Sequence, residues 1–191
     1  VSEMTTNDVP LLSVLIALPL AGSVLVLAMD ERRARAVALA TALATFLATL
    51  APLFLFREGE PGFQFVEYRP WVGSLGIAWH LGIDGLSLFL LPLTGFLSLA
   101  AVLVSWESVG RKVKAYFVSF LVLEAGMLGV FLALDAILFY VFWEAMLIPM
   151  FLIIGIWGSD NRRYAAVKFI LYTVAGSLFL LVGFIVMAFL A

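Results

Sequence analysis

The 191-residue sequence contains no cysteine and only one histidine. Without cysteine, the chain cannot form disulfides, thiol nucleophiles or cysteine-ligated iron–sulfur clusters. A single histidine also excludes bis-histidine haem ligation within this chain. There is no glycine-rich phosphate-binding motif, so the sequence does not indicate a nucleotide site. We therefore expect no cofactor and no metal on this chain, and we expect any redox chemistry to lie on other chains.

Charge is also scarce, because 64% of the residues are hydrophobic and 13% are charged, with a mean hydropathy of +1.15. Soluble domains carry about 45–50% apolar and about 25% charged residues. The composition therefore indicates a multi-pass membrane protein, and the lipid bilayer is one of its expected partners. The formal net charge of -2 argues against nucleic acid as a partner.

Six apolar runs are each long enough to cross a bilayer core of about 30 Å as an α-helix. The sequence thus predicts an all-α polytopic membrane fold with transmembrane helices at Val9–Met29, Ala34–Phe56, Gly85–Trp106, Ala115–Ala133, Ala136–Trp157 and Ala165–Ala191. Between the second and third helices, two short segments are rich in strand formers, Phe63–Arg69 and Ile77–Leu81. Pro70, Gly73 and Gly76 lie between them, which predicts a β-hairpin.

Basic residues cluster in alternate connections between the predicted helices. Nine of the eleven lysines and arginines lie in or beside the first, third and fifth connections: Arg32, Arg33, Arg35, Arg111, Lys112, Lys114, Arg162, Arg163 and Lys168. Cytoplasmic loops carry the excess of positive charge in membrane proteins. We therefore predict that the N-terminus and the loop 57–84 with its hairpin are extracytoplasmic.

Glu144 is the one charged residue inside the stretch that runs from Asp135 to Trp157, and it lies near the middle of that stretch. A carboxylate at the bilayer centre costs about 2.5–3.5 kcal/mol and is tolerated mainly where it faces protein or water. We hypothesise that Glu144 relays a proton or handles a cation. The alternative is a neutral carboxyl that is held by a tertiary hydrogen bond and has no transport role.

Glu124 is a second carboxylate inside a predicted helix. Helices four and five meet near Leu134 and Asp135, so they are antiparallel neighbours, and Asp135 is placed to cap the fifth helix. Glu124 lies ten residues before Leu134 and Glu144 lies ten residues after it, which puts both carboxylates at the same depth. The spacing does not say whether they face each other. Glu124 is therefore either a second relay group or a polar contact between helices.

Lys168 lies one turn inside the sixth predicted helix, on the same face as Tyr164 and Tyr172. Two interpretations are open. Lys168 either pairs with a carboxylate inside the membrane, or extends to the cytoplasmic interface beside Arg162 and Arg163.

Four segments of the chain resemble subunit M, also called subunit 4, of proton-pumping NADH–quinone oxidoreductase, respiratory complex I. They are Gly82–Ser87, Gly129–Asp135, Phe139–Met150 and Lys168–Ser177. The resemblance implies a non-redox, proton-translocating subunit in a bacterial plasma membrane, with other membrane subunits of complex I as partners. Glu144 matches a family glutamate that pairs with a lysine on a later, broken helix. Lys168 matches a family lysine on the sixth helix, and Glu124 matches a carboxyl of many bacterial members.

The resemblance also implies an architecture of about fourteen helices, an N-terminal trio followed by two inverted five-helix repeats. Residues 1–106, with the outer loop 57–84, would form the trio, and residues 107–191 the first three helices of an incomplete repeat. The chain would then be a fragment or a split subunit whose partners include the missing C-terminal helices. Two alternatives remain: a cation/proton antiporter subunit of a multi-component antiporter, and a structural membrane scaffold.

Overall fold

The computed structural model describes residues 10–57, 59–60, 62–73 and 76–190. Six helices and one two-stranded sheet follow each other along this part of the chain: α1 (Leu11–Ala28), α2 (Glu31–Leu55), β1 (Gln64–Val72), β2 (Ile77–Ile83), α3 (Ser87–Ser108), α4 (Val113–Leu132), α5 (Ala136–Trp157) and α6 (Arg162–Leu190). All six helices are long and apolar enough to cross a membrane. The prediction of six transmembrane helices with a hairpin between the second and third is thus confirmed.

The helix ends differ from the prediction by a few residues. α2 begins at Glu31 and α6 at Arg162, each three residues before the predicted start. Charged residues such as Glu and Arg are good helix formers, so a helix continues beyond the apolar segment that hydropathy detects. The predicted first and last membrane residues, Val9 and Ala191, lie outside the described residues.

The hairpin is longer than predicted, because β1 continues through Pro70. Pro70 pairs with Ala78, whereas the sequence analysis placed it in the turn. Each strand of a two-stranded sheet has one edge without a partner strand, so a proline there need not remove a ladder hydrogen bond. The turn is shorter as a result, and Gly76 within it has a positive φ of 69°.

Glu67, a buried carboxylate on β1, binds the first turn of α1. Its Oε1 accepts a hydrogen bond from the backbone N–H of Leu12 at 2.6 Å, and its Oε2 accepts from the backbone N–H and the hydroxyl of Ser13. The Ser13 hydroxyl accepts in turn from the indole N–H of Trp79 on β2, at 2.9 Å. The N-cap residue Pro10 offers no side-chain acceptor. The sheet therefore supplies the negative charge that the start of α1 lacks.

Asp135 joins the same sheet to the start of α5. Its Oδ1 accepts hydrogen bonds from two N–H groups of the first turn of α5, both at 2.9 Å, as the predicted cap requires. Its Oδ2 accepts from the backbone N–H of Ala78 on β2 at 3.2 Å. Beside it, the N–H of Leu134 donates to the carbonyl of His80 at 2.8 Å. One end of the helical bundle, which we call the hairpin end, is thus tied to the sheet at α1 and at α5.

The apolar core is divided into two clusters that are stacked along the bundle. The hairpin-end cluster contains residues of α1, α3 and α4 together with β2, among them Leu12, Leu91, Ala125 and Leu128. The basic-end cluster contains Ala34, Ala38, Ala42, Val102, Val113, Phe117 and Leu121, from α2, α3 and α4, with Val26 of α1. α4 contributes to both clusters and packs against α1, α2, α3 and α5. It is therefore the central helix of the described bundle.

We expect Glu67→Ala to destabilise the fold by about 1–3 kcal/mol, because the mutation leaves buried N–H groups of α1 without an acceptor. Thermal or denaturant unfolding of the purified protein in detergent would measure the difference. Glu60→Ala is the matched control, since Glu60 forms an exposed ion pair with Arg57 at 3.4 Å. Such a pair contributes about 0–1 kcal/mol. Equal stabilities of the two variants would contradict a capping role for Glu67.

Candidate functional site

The position of Glu144 is determined by the contact between α4 and α5. Gly126 and Gly129 of α4 lie directly against Met146 and Phe142 of α5, and a Cβ atom on either glycine would overlap those side chains. Phe142 and Met146 are one turn apart on one face of α5. Glu144 lies two residues from each of them, which is about 160–200° around a helix with 3.6 residues per turn. Glu144 therefore points away from α4.

The face of α5 that carries Glu144 is the face that meets α6. Gly155, three turns after Glu144, packs against Ala166 of α6, with 3.4 Å between the Cβ of Ala166 and the position of a Cβ on the glycine. Tyr140, one turn before Glu144, places its hydroxyl close to both the Glu144 carboxyl and Ser177 of α6. Glu144 is half-buried, and its Oε1 is enclosed without a hydrogen-bond partner among the described residues.

Glu124 lies on the opposite side of α4 from α5. Its side chain is 0% exposed and lies beside Ser98 of α3. Neither carboxyl oxygen meets a hydrogen-bond partner within the described part of the chain. From the pairings of Gly126 with Met146 and of Gly129 with Phe142, Glu124 lies opposite positions 147–148 of α5, so Glu124 and Glu144 differ in depth by roughly 5 Å at 1.5 Å per residue. The two carboxylates thus lie about one helical turn apart in depth, whereas equal spacing from Leu134 predicts the same depth, and they do not face each other.

Lys168 is exposed on α6 and lies between two tyrosines. Its Nζ is 5.7 Å from the ring centroid of Tyr164 and 5.9 Å from that of Tyr172, which is cation–π distance. The predicted shared face of these three residues is confirmed. Lys168 lies two residues after Ala166, which packs against Gly155, so it is separated from Glu144 by roughly 13 Å along the helix axis. Among the described residues, no ion pair joins Lys168 to a carboxylate.

Coverage by protein decreases from α4 to α6. In the most apolar 18-residue window of each helix, 50% of the residues are buried in α4, 17% in α5 and 6% in α6. Glu144 therefore lies at the boundary between the enclosed bundle and a largely uncovered apolar surface.

The sequence analysis did not identify four polar residues in this region. Tyr140 and Ser177 lie beside Glu144, Ser98 lies beside Glu124, and Thr45 is a buried residue of α2. Tyr140 has a local signal, because it precedes Glu144 by one helical turn. The other three residues are on different helices from the nearest carboxylate. No spacing within one helix indicates which serine or threonine of another helix it will meet.

Comparison with known proteins finds relatives of this chain among membrane subunits of NADH–quinone oxidoreductases. A family model described as "NADH:quinone oxidoreductase/Mrp antiporter, TM" matches residues 133–191. The chain is 46% identical over 188 residues to the NADH-quinone oxidoreductase subunit M of Rhodobacter capsulatus, a match that covers 95% of this chain and 36% of that protein. It is 43% identical over 182 residues to the NADH-ubiquinone oxidoreductase chain 4 of Marchantia polymorpha, covering 93% of this chain and 37% of that protein.

A solved structure shows the same fold. A chain of respiratory complex I from Thermus thermophilus with bound NADH superimposes with a TM-score of 0.74 and 31% sequence identity. The match covers 87% of this chain and 33% of that chain. The chain thus spans about a third of the length of the relatives that it matches.

Cysteine cross-linking would test the directions of the two carboxylates against a background free of native cysteine. We expect a short bifunctional thiol reagent to cross-link the pair Glu144→Cys with Ser177→Cys, because both positions adjoin the Tyr140 hydroxyl. The pair Glu144→Cys with Glu124→Cys should not react, because the two side chains lie on opposite sides of the α4–α5 contact. Gly155→Cys with Ala166→Cys is the positive control. Efficient cross-linking of positions 124 and 144 would contradict this geometry.

Proposed function

From the homology of this chain to subunit M of NADH-quinone oxidoreductase, we infer that it forms part of a proton-translocating, non-redox membrane subunit of such an enzyme. The observation that supports this most directly is Glu144, a carboxyl inside a transmembrane helix at a contact between helices. Intramembrane carboxylates are costly to insert and are usually functional. We assign to Glu144 the role of taking up and releasing a proton.

Tyr140 and Ser177 are suited to position that carboxyl. The Tyr140 hydroxyl lies beside both Ser177 and Glu144, at the contact of α5 with α6. A hydroxyl group both donates and accepts hydrogen bonds, and it can therefore serve either protonation state of its neighbour. Ser177 is 3% exposed, and because its hydroxyl already donates to the carbonyl of Val174 at 3.0 Å, it is free to accept a hydrogen bond from the Tyr140 hydroxyl.

Glu124 and Lys168 complete the proposed set of relay residues, although neither contacts Glu144. Glu124 is enclosed on the other side of α4, and Lys168 lies roughly 13 Å from Glu144 along the axis. We therefore expect the cation that pairs with Glu144 to come from another segment. The uncovered surface of α6 is where the further helices of a full-length subunit, or neighbouring subunits, would pack.

The proposed setting is a bacterial plasma membrane with the basic connections on the cytoplasmic side and the hairpin on the outer face. Redox groups would reside on other subunits, because this chain has no cysteine and a single histidine. The partners would be the lipid bilayer and the other membrane subunits of the enzyme.

A cation/proton antiporter subunit is the second candidate, because the description of the matching family model names both classes. The two candidates differ in their energy source. In membrane vesicles, the oxidoreductase subunit should acidify the lumen when NADH is oxidised. The antiporter should instead dissipate an imposed proton gradient when sodium or potassium is added, without NADH.

We expect Glu144→Gln in the full-length subunit to reduce NADH-driven acidification of native membrane vesicles to the level of the membrane leak, because the amide cannot exchange the proton. Assembly of the complex, followed by immunoblot, should be unchanged. Glu107→Gln is the matched control, since Glu107 is an exposed carboxyl at the end of α3. The Glu107→Gln enzyme should translocate protons normally. Normal acidification by an assembled Glu144→Gln enzyme would overturn the relay and favour a structural scaffold.

A further inference from the structure

Three buried polar residues lie at one level between the two apolar clusters. On α2, Ala38 and Ala42 belong to the basic-end cluster, and on α4, Phe117 and Leu121 belong to it as well. On each helix, the next buried residue on the same face comes three positions after the last of these, which is Ala42 on α2 and Leu121 on α4. That residue is Thr45 on α2 and Glu124 on α4, and both are 0% exposed. Because α2 and α4 both start at the basic end, each of these residues follows directly after the basic-end cluster on the side of the hairpin end.

Ser98 of α3 reaches the same level from the opposite direction. α3 runs antiparallel to α2 and α4, and Val102 of α3 belongs to the basic-end cluster. Ser98 precedes Val102 by one turn, is 2% exposed and lies beside Glu124. The close approach of Gly95 to the backbone of Phe46 sets the register of α3 against α2, and it places Ser98 near the level of Thr45. We call Thr45, Ser98 and Glu124 the hydroxyl–carboxyl cluster.

The hydroxyl of Thr45 differs from those of the other buried threonines of α2 and α3. Thr45 Oγ1, Ser98 Oγ and both carboxyl oxygens of Glu124 have no hydrogen-bond partner within the described part of the chain. The other buried threonines of α2 and α3 donate to a carbonyl of their own helix: Thr41 at 2.8 Å, Thr49 at 2.6 Å and Thr94 at 2.7 Å. Ser98 and Glu124 are close enough to interact directly, and the four buried polar atoms from three helices together leave hydrogen-bonding capacity that a small ligand between these helices would satisfy.

We propose that the hydroxyl–carboxyl cluster is a buried water site in which Glu124 is held as a neutral carboxylic acid. A buried water typically makes two to four hydrogen bonds to polar groups that are otherwise unpaired. The acid O–H donates one hydrogen bond, and the two hydroxyl groups both donate and accept. A carboxylate without a cation beside it would instead be an isolated buried charge, which proteins avoid by protonation. Two hydroxyls and one carboxyl also offer few oxygens for a bare metal cation, which takes six or more.

The water site lies on the opposite side of α4 from Glu144, within the bundle of α2, α3 and α4. Its use as a store of protons during translocation rests on the proposed function. The existence of the water site does not rest on the proposed function, because the site depends only on the packing of α2, α3 and α4. The two inferences can therefore fail separately.

Infrared spectroscopy of the full-length protein in lipid vesicles would test the site without any need for proton translocation. We expect a carbonyl stretching band of a protonated carboxyl that is absent from Glu124→Gln. We also expect an O–H band of internal water that shifts when H₂¹⁶O is replaced by H₂¹⁸O. The double variant Thr45→Val with Ser98→Ala should shift the first band and remove the second.

Matched variants separate this effect from a general disturbance of the bundle. Thr41→Val and Thr94→Val remove buried hydroxyls that are paired within their own helices, so they should leave both bands unchanged. Thr45→Ser keeps the hydroxyl and should retain the water band. A carboxylate absorption from Glu124, a water band that persists in the double variant, or a shift on exchange of potassium for sodium would each overturn the proposal. Normal acidification by Glu144→Gln would overturn only the proposed function.

Discussion

The contact of α4 with α5 at Gly126 and Gly129 determines the direction of both intramembrane carboxylates. Because neither glycine has a side chain, Phe142 and Met146 pack directly against the backbone of α4. Close packing of small residues is a principal source of helix association in membranes. Here it fixes the rotation of each helix about its own axis. Glu124 is thereby directed toward α3 and Glu144 toward α6, so α4 separates two polar regions that a looser contact would allow to merge.

The hairpin limits the movement of α1 and α5 along their axes. Glu67 holds the start of α1, and Asp135 holds the start of α5, with both carboxylates accepting hydrogen bonds from first-turn N–H groups. Each bond joins an anion to the positive end of a helix dipole. The two-stranded sheet would be marginal alone in water. It is stabilised here because Glu67 of β1 accepts from the start of α1, and because Asp135, the cap of α5, accepts from Ala78 of β2; these contacts limit sliding of α1 and α5.

Glu124 and Glu144 lie in different surroundings, and these surroundings suit different roles in handling a proton. Glu124 is enclosed by the described bundle, where a group can hold a proton but cannot exchange it without internal water. Glu144 is half-buried beside α6, the helix with the least protein cover. A group at such a boundary can meet a partner that belongs to another segment. The half-covered position of Glu144 is therefore consistent with a chain that spans about a third of the length of its relatives.

The sequence by itself determined the six helices, the hairpin, the cap at Asp135 and, to within about one helical turn, the relative depth of Glu124 and Glu144. Each of these follows from local hydropathy, from β-propensity or from residue count along an unbranched helix. The tertiary structure alone decided that the two carboxylates point apart, that Glu124 lies beside Ser98, and that the Tyr140 hydroxyl lies near both Glu144 and Ser177. Rotation of a helix is set by side chains of other helices, and an apolar run on every face carries no periodic signal that would reveal it.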